Sequence, residues 1–381
     1  KKEMDHVSTS FSYIVKMGTF EFTNSTILYK KWNKVSSKEN YKSLNFDDLR
    51  VNDIDIRLNN LEVDIAKNGY AVKITKFHLG PNLQNTPEVS LSGEIKLAGR
   101  NINVGDLKIL TKKSDITLNY RTDELNVFNN FTTDSLAKAN FEASLKCAPF
   151  HSDDLTSVAG GFDMIKGPMD LDFEASGDLV NTRIAKLKLK ALKTDLTLTG
   201  TLQNLMNFDK MRISANIKNS VLTPSDIHAL MPSLQMQKYL DFPTIQIDSL
   251  GFNGSPLAFS GGLGLRSAAG NISGDYKFNF SKPVASYEVD LKTEKLDISK
   301  YVNFPVNLTS KIRARGNGFN PENAEFELDF DGDQTNAGKY FFDKFSLKTK
   351  GSRGKIAFQL ATNLGVQQGE LKGEVDMSDM K

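Results

Sequence analysis

The residues that most often perform catalysis are few and widely separated in this chain. The four histidines, His6, His78, His151 and His228, lie far apart in sequence, and none belongs to an HExxH motif or to a Cys–His zinc pattern. The single cysteine, Cys147, has no histidine-partnered thiol motif around it. The sequence therefore predicts no catalytic residue, no metal site and no cofactor, and it gives no positive support for an enzyme.

Two further motifs resemble ligand-binding loops but have the wrong spacing. Residues 261–264, GGLG, lack the Lys-Ser/Thr of a phosphate loop and the full dinucleotide fingerprint, so they predict a bent or bulged strand. Asp329, Asp331 and Asp333 resemble the start of a calcium loop. However, Gln334 stands where that loop requires glycine, and no Glu follows at the twelfth position. We therefore predict a turn flanked by carboxylates.

Charge and hydropathy exclude other classes of protein. Lys and Arg number 48 against 46 Asp and Glu, and they alternate with apolar residues instead of clustering, which argues against a nucleic-acid partner. No apolar run reaches the roughly 18 residues that would span a membrane. Because Lys1 lies in no signal-peptide pattern, we predict a processed segment whose membrane anchor lies outside this chain.

An apolar skeleton returns four times along the sequence. Its copies begin at Leu107, Leu187, Leu263 and Phe345, so successive steps are 80, 76 and 82 residues. A second phrase, beginning at Phe141 and containing Asp154, returns 72 residues later with Asp226, and more faintly another 74 residues on with Lys300. Two interleaved phrases of nearly equal period are typical of stacked supersecondary units.

Within each copy, apolar residues fall at every second position, which predicts strands with one buried face. Hairpin signals separate the strands at Asn68-Gly69, Ser176-Gly177-Asp178, Gly316-Asn317-Gly318 and Asp331-Gly332-Asp333. Helix signals are confined to residues 223–226, TPSD, and to a similar short turn at residues 152–155. Because these helices are too few to cover the sheet, we predict a mainly β fold with one or two short helices, in which an elongated antiparallel sheet folds over on itself.

Several phrases resemble the repeat region of AsmA/TamB-like proteins of the Gram-negative envelope. They are LKTDLTLTG at residues 192–200, RISANI at 212–217, LTPSDI at 222–227, and the earlier TFEFTNSTILY at 19–29. The resemblance covers the chain from about residue 18 onward, and the Lys, Asn, Phe and Asp content favours a Bacteroidetes member. On this basis, residues 1–90 are predicted to form a strand-rich cap or first repeat, and residues 91–381 the repeat array.

The resemblance implies properties that periodicity alone does not. Members of that group are anchored by an inner-membrane helix, project through the periplasm, and form a folded-over β-groove linked to outer-membrane biogenesis and phospholipid traffic. It implies a periplasmic or envelope location and a phospholipid or other acyl-chain ligand, with a barrel protein of the outer membrane as a second candidate partner. It carries over no catalytic residue. The AsmA and TamB branches both remain open, because the TamB C-terminal domain is not in this chain.

The candidate lipid-groove residues are the in-phase apolar positions of the skeleton. Their shared parity within each copy predicts a common side, but both lipid contact and ordinary core packing would produce that pattern. The twelve candidates are Leu107, Ile109, Ile116, Leu118, Leu187, Leu189, Leu196, Leu198, Phe345, Leu347, Ile356 and Phe358.

Three hypotheses of function follow from these observations. A lipid-conducting segment predicts an open apolar channel, whereas an envelope assembly scaffold predicts a closed core and a partner that binds an exposed strand edge. An adhesive or carbohydrate-binding array predicts solvent-facing aromatic platforms, for which Trp32 and Tyr29 are the candidates. The resemblance favours the first hypothesis, a lipid-conducting segment.

Overall fold

The computed structural model describes most of the chain in eleven stretches. These are residues 13–31, 48–65, 69–79, 88–126, 132–154, 166–230, 242–302, 305–320, 324–338, 340–364 and 367–376. The chain divides into two compact units. The first contains residues 1–192 and 229–235, and the second contains residues 193–228 and 236–381.

The first unit is a meander of nine strands, in which each strand pairs antiparallel with the next in chain order. The nine strands are β1 (Ile14–Lys30), β2 (Asp48–Asp64), β3 (Gly69–Leu79), β4 (Val89–Ala98), β5 (Asn101–Thr111), β6 (Asp115–Thr122), β7 (Phe141–His151), β8 (Pro168–Gly177) and β9 (Asn181–Ala191).

The second unit is a meander of eleven strands with the same antiparallel pairing. These strands are β10 (Thr194–Gln203), β11 (Arg212–Leu222), β12 (Ile245–Ser255), β13 (Ala258–Ser267), β14 (Gly270–Asn279), β15 (Ser286–Asp297), β16 (Val306–Asn317), β17 (Glu325–Ala337), β18 (Tyr340–Ser352), β19 (Lys355–Leu364) and β20 (Gln367–Asp376).

Helices are short and lie in the connections between strands. They are α1 (Thr133–Lys138), α2 (Pro224–Leu230) and the single turn α3 (Ser299–Val302), with 3₁₀ turns at Ser152–Asp154 and Phe208–Lys210. Strands take up 75% of the described residues. The predicted fold class, a mainly β chain with antiparallel pairing and only short helices, is confirmed.

The second sequence phrase corresponds to a strand followed by a short helical turn. Its copies fall on β7 with the turn at Ser152–Asp154, on β11 with α2, and on β15 with α3. In the first copy, buried Asp154 accepts hydrogen bonds from Thr111 Oγ1 and Ser114 Oγ, both at 2.5 Å. The acid thus ties the connection after β7 to the β5–β6 turn.

The second copy repeats this arrangement with Asp226. Its buried carboxylate accepts hydrogen bonds from the Lys193 backbone N–H and from Thr194 Oγ1, each at 2.9 Å. A buried carboxylate without such donors would be strongly destabilising. The acidic position that the sequence phrase repeats is therefore explained by a repeated contact between a helical connection and the preceding β-turn.

Several strands contain an irregular residue with positive φ. Asn24, Asp106 and Lys295 have φ values of 47°, 45° and 48°, and each lies at or beside a shift in pairing register. Their backbone N–H groups donate to side chains of the next strand: Asn24 to Asp55, Asp106 to Asn119 and Lys295 to Thr309. These β-bulges bend the strands without leaving a backbone donor unpaired.

Two sequence predictions about glycines are revised by the structure. The hairpin predicted at Asp331-Gly332-Asp333 is wrong, because these residues lie inside β17, paired with Lys344 to Ser346 of β18. Gly332 is required by packing, since a Cβ there would lie 2.0 Å from Cε1 of Phe345. Residues 261–264 do lie in a strand, β13, but its pairing with β14 is regular, and the register shift falls between β12 and β13.

The fourth copy of the apolar skeleton differs from the third in its position in the meander. The third copy covers the β13–β14 hairpin and the fourth the β18–β19 hairpin, five strands later. In an antiparallel meander, hairpins an odd number of strands apart point to opposite ends of the sheet. The two copies therefore share the apolar face but not the direction of their turns.

Candidate functional site: the apolar sheet faces

The six first-unit candidates lie on one side of the sheet. Leu107 is directly opposite Leu118, and Ile109 is directly opposite Ile116, across the β5–β6 pair. Cross-strand partners in direct register project from the same face. The remaining two candidates, Leu187 and Leu189, join this face through β7 and β8.

A row of direct cross-strand partners makes that connection. It is apolar at every position on all nine strands of the first unit. In strand order it contains Phe22, Ile56, Phe77, Leu91, Ile109, Ile116, Cys147, Leu171 and Leu189.

A second row runs beside it through the remaining candidates. It passes from Leu107 to Leu118, then to Leu145, Phe173 and Leu187. Leu171 and Phe173 of β8 were not among the predicted site residues. The signal for them was present, because β8 alternates as Met-Asp-Leu-Asp-Phe-Glu over residues 169–174.

The second unit contains an equivalent row across all eleven strands. Every position is apolar apart from one glycine. The row contains Leu198, Ile217, Leu250, Leu263, Gly274, Leu291, Ile312, Phe330, Leu347, Leu360 and Leu371. Leu196 lies two residues before Leu198 in β10. In the same way, Phe345 precedes Leu347, and Ile356 and Phe358 precede Leu360. Because strand side chains alternate, all six second-unit candidates share one face.

All twelve candidates are half-buried, and none is among the fully buried residues. The buried apolar residues of the described stretches are few, and only Ile54 among them is a large side chain less than 2% exposed. Leucines in a closed protein core would be almost fully buried. Among the described residues, the rows thus form an apolar layer that is only partly covered by the protein.

The face is nevertheless apolar enough to affect the groups within it. Burial, with a smaller contribution from Asp115, raises the pKa of Cys147 to about 11. Burial also raises the pKa values of Tyr120, Tyr276 and Tyr287. A thiol with a raised pKa is mostly protonated at neutral pH and is a poor nucleophile. Cys147 therefore serves as an apolar member of the row.

Aromatic rings lie over glycines on the face of the second unit. A Cβ on Gly351 would lie 2.1 Å from Cε1 of Phe326, and one on Gly373 would lie 2.7 Å from Cζ of Phe358. Gly332 has the same relation to Phe345. Rings that cover glycines on the next strand lie low against the sheet, and this packing is a known way to support glycine in strands. The candidates Phe345 and Phe358 therefore pack along the sheet surface.

The opposite face of the second unit is a ladder of charges. Glu327 lies between Arg315, at 2.5 Å, and Lys350, at 3.2 Å. Hydrogen bonds from these two side chains lower the pKa of Glu327. A cavity of about 740 Å³ is lined mainly by this ladder, although it also reaches Val289 and Phe358. An acyl chain gains nothing against charged side chains, so we assign the candidate site to the apolar face.

The described histidines, first examined for catalysis, lie in three different elements. His78 lies in β3, where its Nδ1 is 2.9 Å from Ser90 Oγ, while His151 ends β7 and His228 lies in α2. Within the described stretches, no group of three or more His, Cys, Asp or Glu is placed to hold a metal ion. His6 and Trp32 lie outside the described residues, so the predicted aromatic platform of Trp32 with Tyr29 stays a prediction.

Comparison with known proteins gives no neighbour from which a role could be read. No protein-family model, curated protein or solved structure matches the chain. In the part of the chain that the structure describes, no helix is long and apolar enough to cross a membrane.

Proposed function

We propose that the apolar faces of the two units bind the acyl chains of phospholipids, and that the protein is a periplasmic segment that carries lipid between inner and outer membranes. The observation that supports this is the apolar row that crosses every strand of each unit, together with the half-buried state of all twelve candidate side chains on these faces. The location between two membranes comes from the AsmA/TamB resemblance.

The dimensions of the rows suit acyl chains. With strands about 4.8 Å apart, ten steps from β10 to β20 extend roughly 48 Å along the sheet. The hydrocarbon layer of one leaflet is about 15 Å thick. Because each methylene that leaves water gains roughly 0.8 kcal/mol, a row of this length would let an acyl chain move along it while remaining shielded from water. No reaction is required, so the absence of a catalytic constellation from the sequence presents no difficulty.

An assembly scaffold is the alternative, and one observation favours it. Within the described strands, β1 pairs on one side only, with β2, and it exposes Ile14, Phe20, Phe22 and Leu28. A long apolar edge strand is a template for strand addition by a partner. In that case the faces would be filled by protein contacts, and no lipid would be bound.

Native mass spectrometry with lipid extraction tests the proposal on protein purified in mild detergent. We expect bound phospholipid in the wild-type protein and its loss in Leu118→Asp and Leu198→Asp. Each substitution places a charge within an apolar row.

Matched controls are provided by a residue adjacent to each substituted leucine in its strand, which lies on the other face. Thr117 pairs with Lys108 and Lys146, and Thr199 pairs with Asn216. Thr117→Asp and Thr199→Asp are therefore expected to keep the lipid. A folded wild-type protein that carries no lipid, and takes none from labelled liposomes, would contradict lipid carriage and favour the scaffold.

A further inference from the structure

One end of the second-unit sheet carries exposed apolar side chains at its hairpin turns. In an antiparallel meander, the turns β10–β11, β12–β13, β14–β15, β16–β17 and β18–β19 all lie at the same end. Four residues in or beside the middle three turns form what we call the rim patch. They are Leu257, Phe280, Val284 and Phe319, with exposed fractions of 45%, 43%, 57% and 61%.

The rim patch is held together by direct contacts between neighbouring turns. The Phe280 backbone N–H donates to the Leu257 carbonyl at 2.6 Å, and Gly318 donates to Ala285 at 2.7 Å. The ring centroids of Phe280 and Phe319 are 6.3 Å apart. Two more exposed apolar side chains, Met206 and Phe208, lie in the adjacent β10–β11 turn. The exposure is therefore a property of this whole end of the unit.

The opposite end of the same unit is built differently. It carries α2 and α3, and the Asp226 carboxylate is buried there against Thr194. In the described part of this unit, Phe341, 50% exposed, is the one exposed large apolar residue that lies beside a turn at that end. Exposed apolar surface concentrated at one end marks a contact surface.

The charge at this end favours a lipid surface over a protein core. The five connections, the residues that flank them and the last residue of β20 carry five basic side chains against four acidic ones. The basic residues are Lys210, Arg212, Lys282, Arg353 and Lys355, and the acidic residues are Asp209, Glu322, Glu325 and Asp376, the last directly opposite Lys355. Basic residues around aromatic tips match an interface in which rings enter the headgroup layer and cations meet anionic lipids.

A chain of ring contacts leads from the rim patch onto the apolar face. Phe280 stacks on Phe278 at 6.0 Å and lies 6.2 Å from Phe259, which stacks on Phe252 at 4.7 Å. Phe259 and Phe278 are direct cross-strand partners in β13 and β14. The rim patch and the candidate acyl-binding face are therefore one continuous apolar surface.

We infer that the rim patch of the second unit inserts into the headgroup layer of an anionic membrane, and that the ring chain is the port through which acyl chains pass between bilayer and sheet. The port rests on the proposed function, whereas the membrane contact is independent of it. The rim would hold this end of the sheet at the bilayer surface, where an acyl chain leaving the membrane meets Phe280 first.

Vesicle flotation of the whole chain tests the membrane contact. We use vesicles of phosphatidylcholine with and without phosphatidylglycerol, and compare wild type with Phe280→Ser/Phe319→Ser and with Phe341→Ser. Wild type and Phe341→Ser are expected to float with the anionic vesicles, and the double variant is expected to lose at least tenfold in partitioning. Circular dichroism should show that all three proteins are folded.

A fluorescence measurement reports depth directly and does not depend on loss of binding. On a Trp32→Phe background, Phe319→Trp is expected to be quenched by lipids brominated near the headgroup, and Phe341→Trp is expected to stay unquenched. The inference is overturned if wild type stays at the bottom of the gradient, if the double variant floats like wild type, if Phe341→Ser loses binding equally, or if both tryptophans are quenched alike. If wild-type protein does not bind vesicles but binds another protein through Phe280 and Phe319, the rim patch is assigned to a protein partner.

The same samples separate the two proposals. Lipid extraction from Leu198→Asp should show loss of bound lipid while flotation is kept, because its substitution lies on the face and away from the rim. If wild type floats through the rim patch but contains no lipid, the proposed function fails and the membrane contact stands. If wild type contains lipid but never floats, the proposed function stands and the membrane contact fails.

Discussion

The two units have apolar faces of the same pattern but of different construction. In the first unit the face is largely aliphatic, with Ile109, Ile116, Leu171 and Leu189 in direct register. In the second unit, rings lie over glycines, as Phe345 does over Gly332. An aliphatic face tolerates changes of size at each position, whereas a ring packed on a glycine makes that glycine indispensable. The same alternation of apolar residues therefore produces two faces that differ in how well they tolerate changes of side-chain size.

The largest expected effect concerns two glycines with different surroundings, one taken from each unit. A Cβ on Gly261 would lie 1.8 Å from the Gly251 carbonyl oxygen, which is backbone and cannot move aside cheaply, whereas a Cβ on Gly105 of the first unit meets nothing within 4 Å. We expect Gly261→Ala to lower the free energy of unfolding by about 3 kcal/mol, near the upper end of usual overpacking costs. Gly105→Ala should stay within about 0.5 kcal/mol of wild type. Urea denaturation measures both, and equal effects would show that the surroundings of the two glycines do not decide the cost.

A smaller effect isolates the ring itself. Gly332→Ala should cost about 2 kcal/mol, because the new methyl group collides with the Phe345 ring. In a Phe345→Leu background the collision is relieved, so the same alanine should cost less than half as much. A double-mutant cycle measured by urea denaturation gives the coupling. Additive costs would show that the glycine is required for a reason other than the ring.

The smallest effect concerns the charged face of the second unit. Because Arg315 and Lys350 lower the pKa of Glu327 in the folded protein, its charge stabilises the fold above the unfolded pKa, and this contribution is lost as the pH falls through the folded pKa. Glu327→Gln should therefore lower the melting temperature slightly at pH 7, and the difference should shrink as the pH falls below 4.5. Salt at pH 7 should shrink it as well. A difference that persists at low pH would mean that the side chain acts through packing.

The local sequence pattern was sufficient to predict the strands but not the structural role of the glycines within them. Alternation predicted the strands and the shared face of the candidates, because side chains on a strand point to opposite sides at every second residue whatever the partner strand is. Asp331-Gly332-Asp333 was predicted as a hairpin because glycine between acids is common in turns. The glycine is required instead by a ring on the next strand, and no local pattern contains that information. Helix α1 was also missed, since its capping box pairs Thr132 with Ser135 instead of the usual acid.

The sequence by itself determined that this protein is built from one-faced strands joined by short connections, and that two phrases recur in it. Strand periodicity and turn chemistry are properties of neighbouring residues, so both are legible in the linear chain. Only the tertiary structure decided which side chains meet. Register joined Ile109 to Ile116 and carried that row on to Leu189, buried Asp226 against Thr194, and brought Phe280 beside Phe319 at one end of the sheet. These contacts depend on pairing between strands, which is set by packing across the whole sheet and not by any single segment.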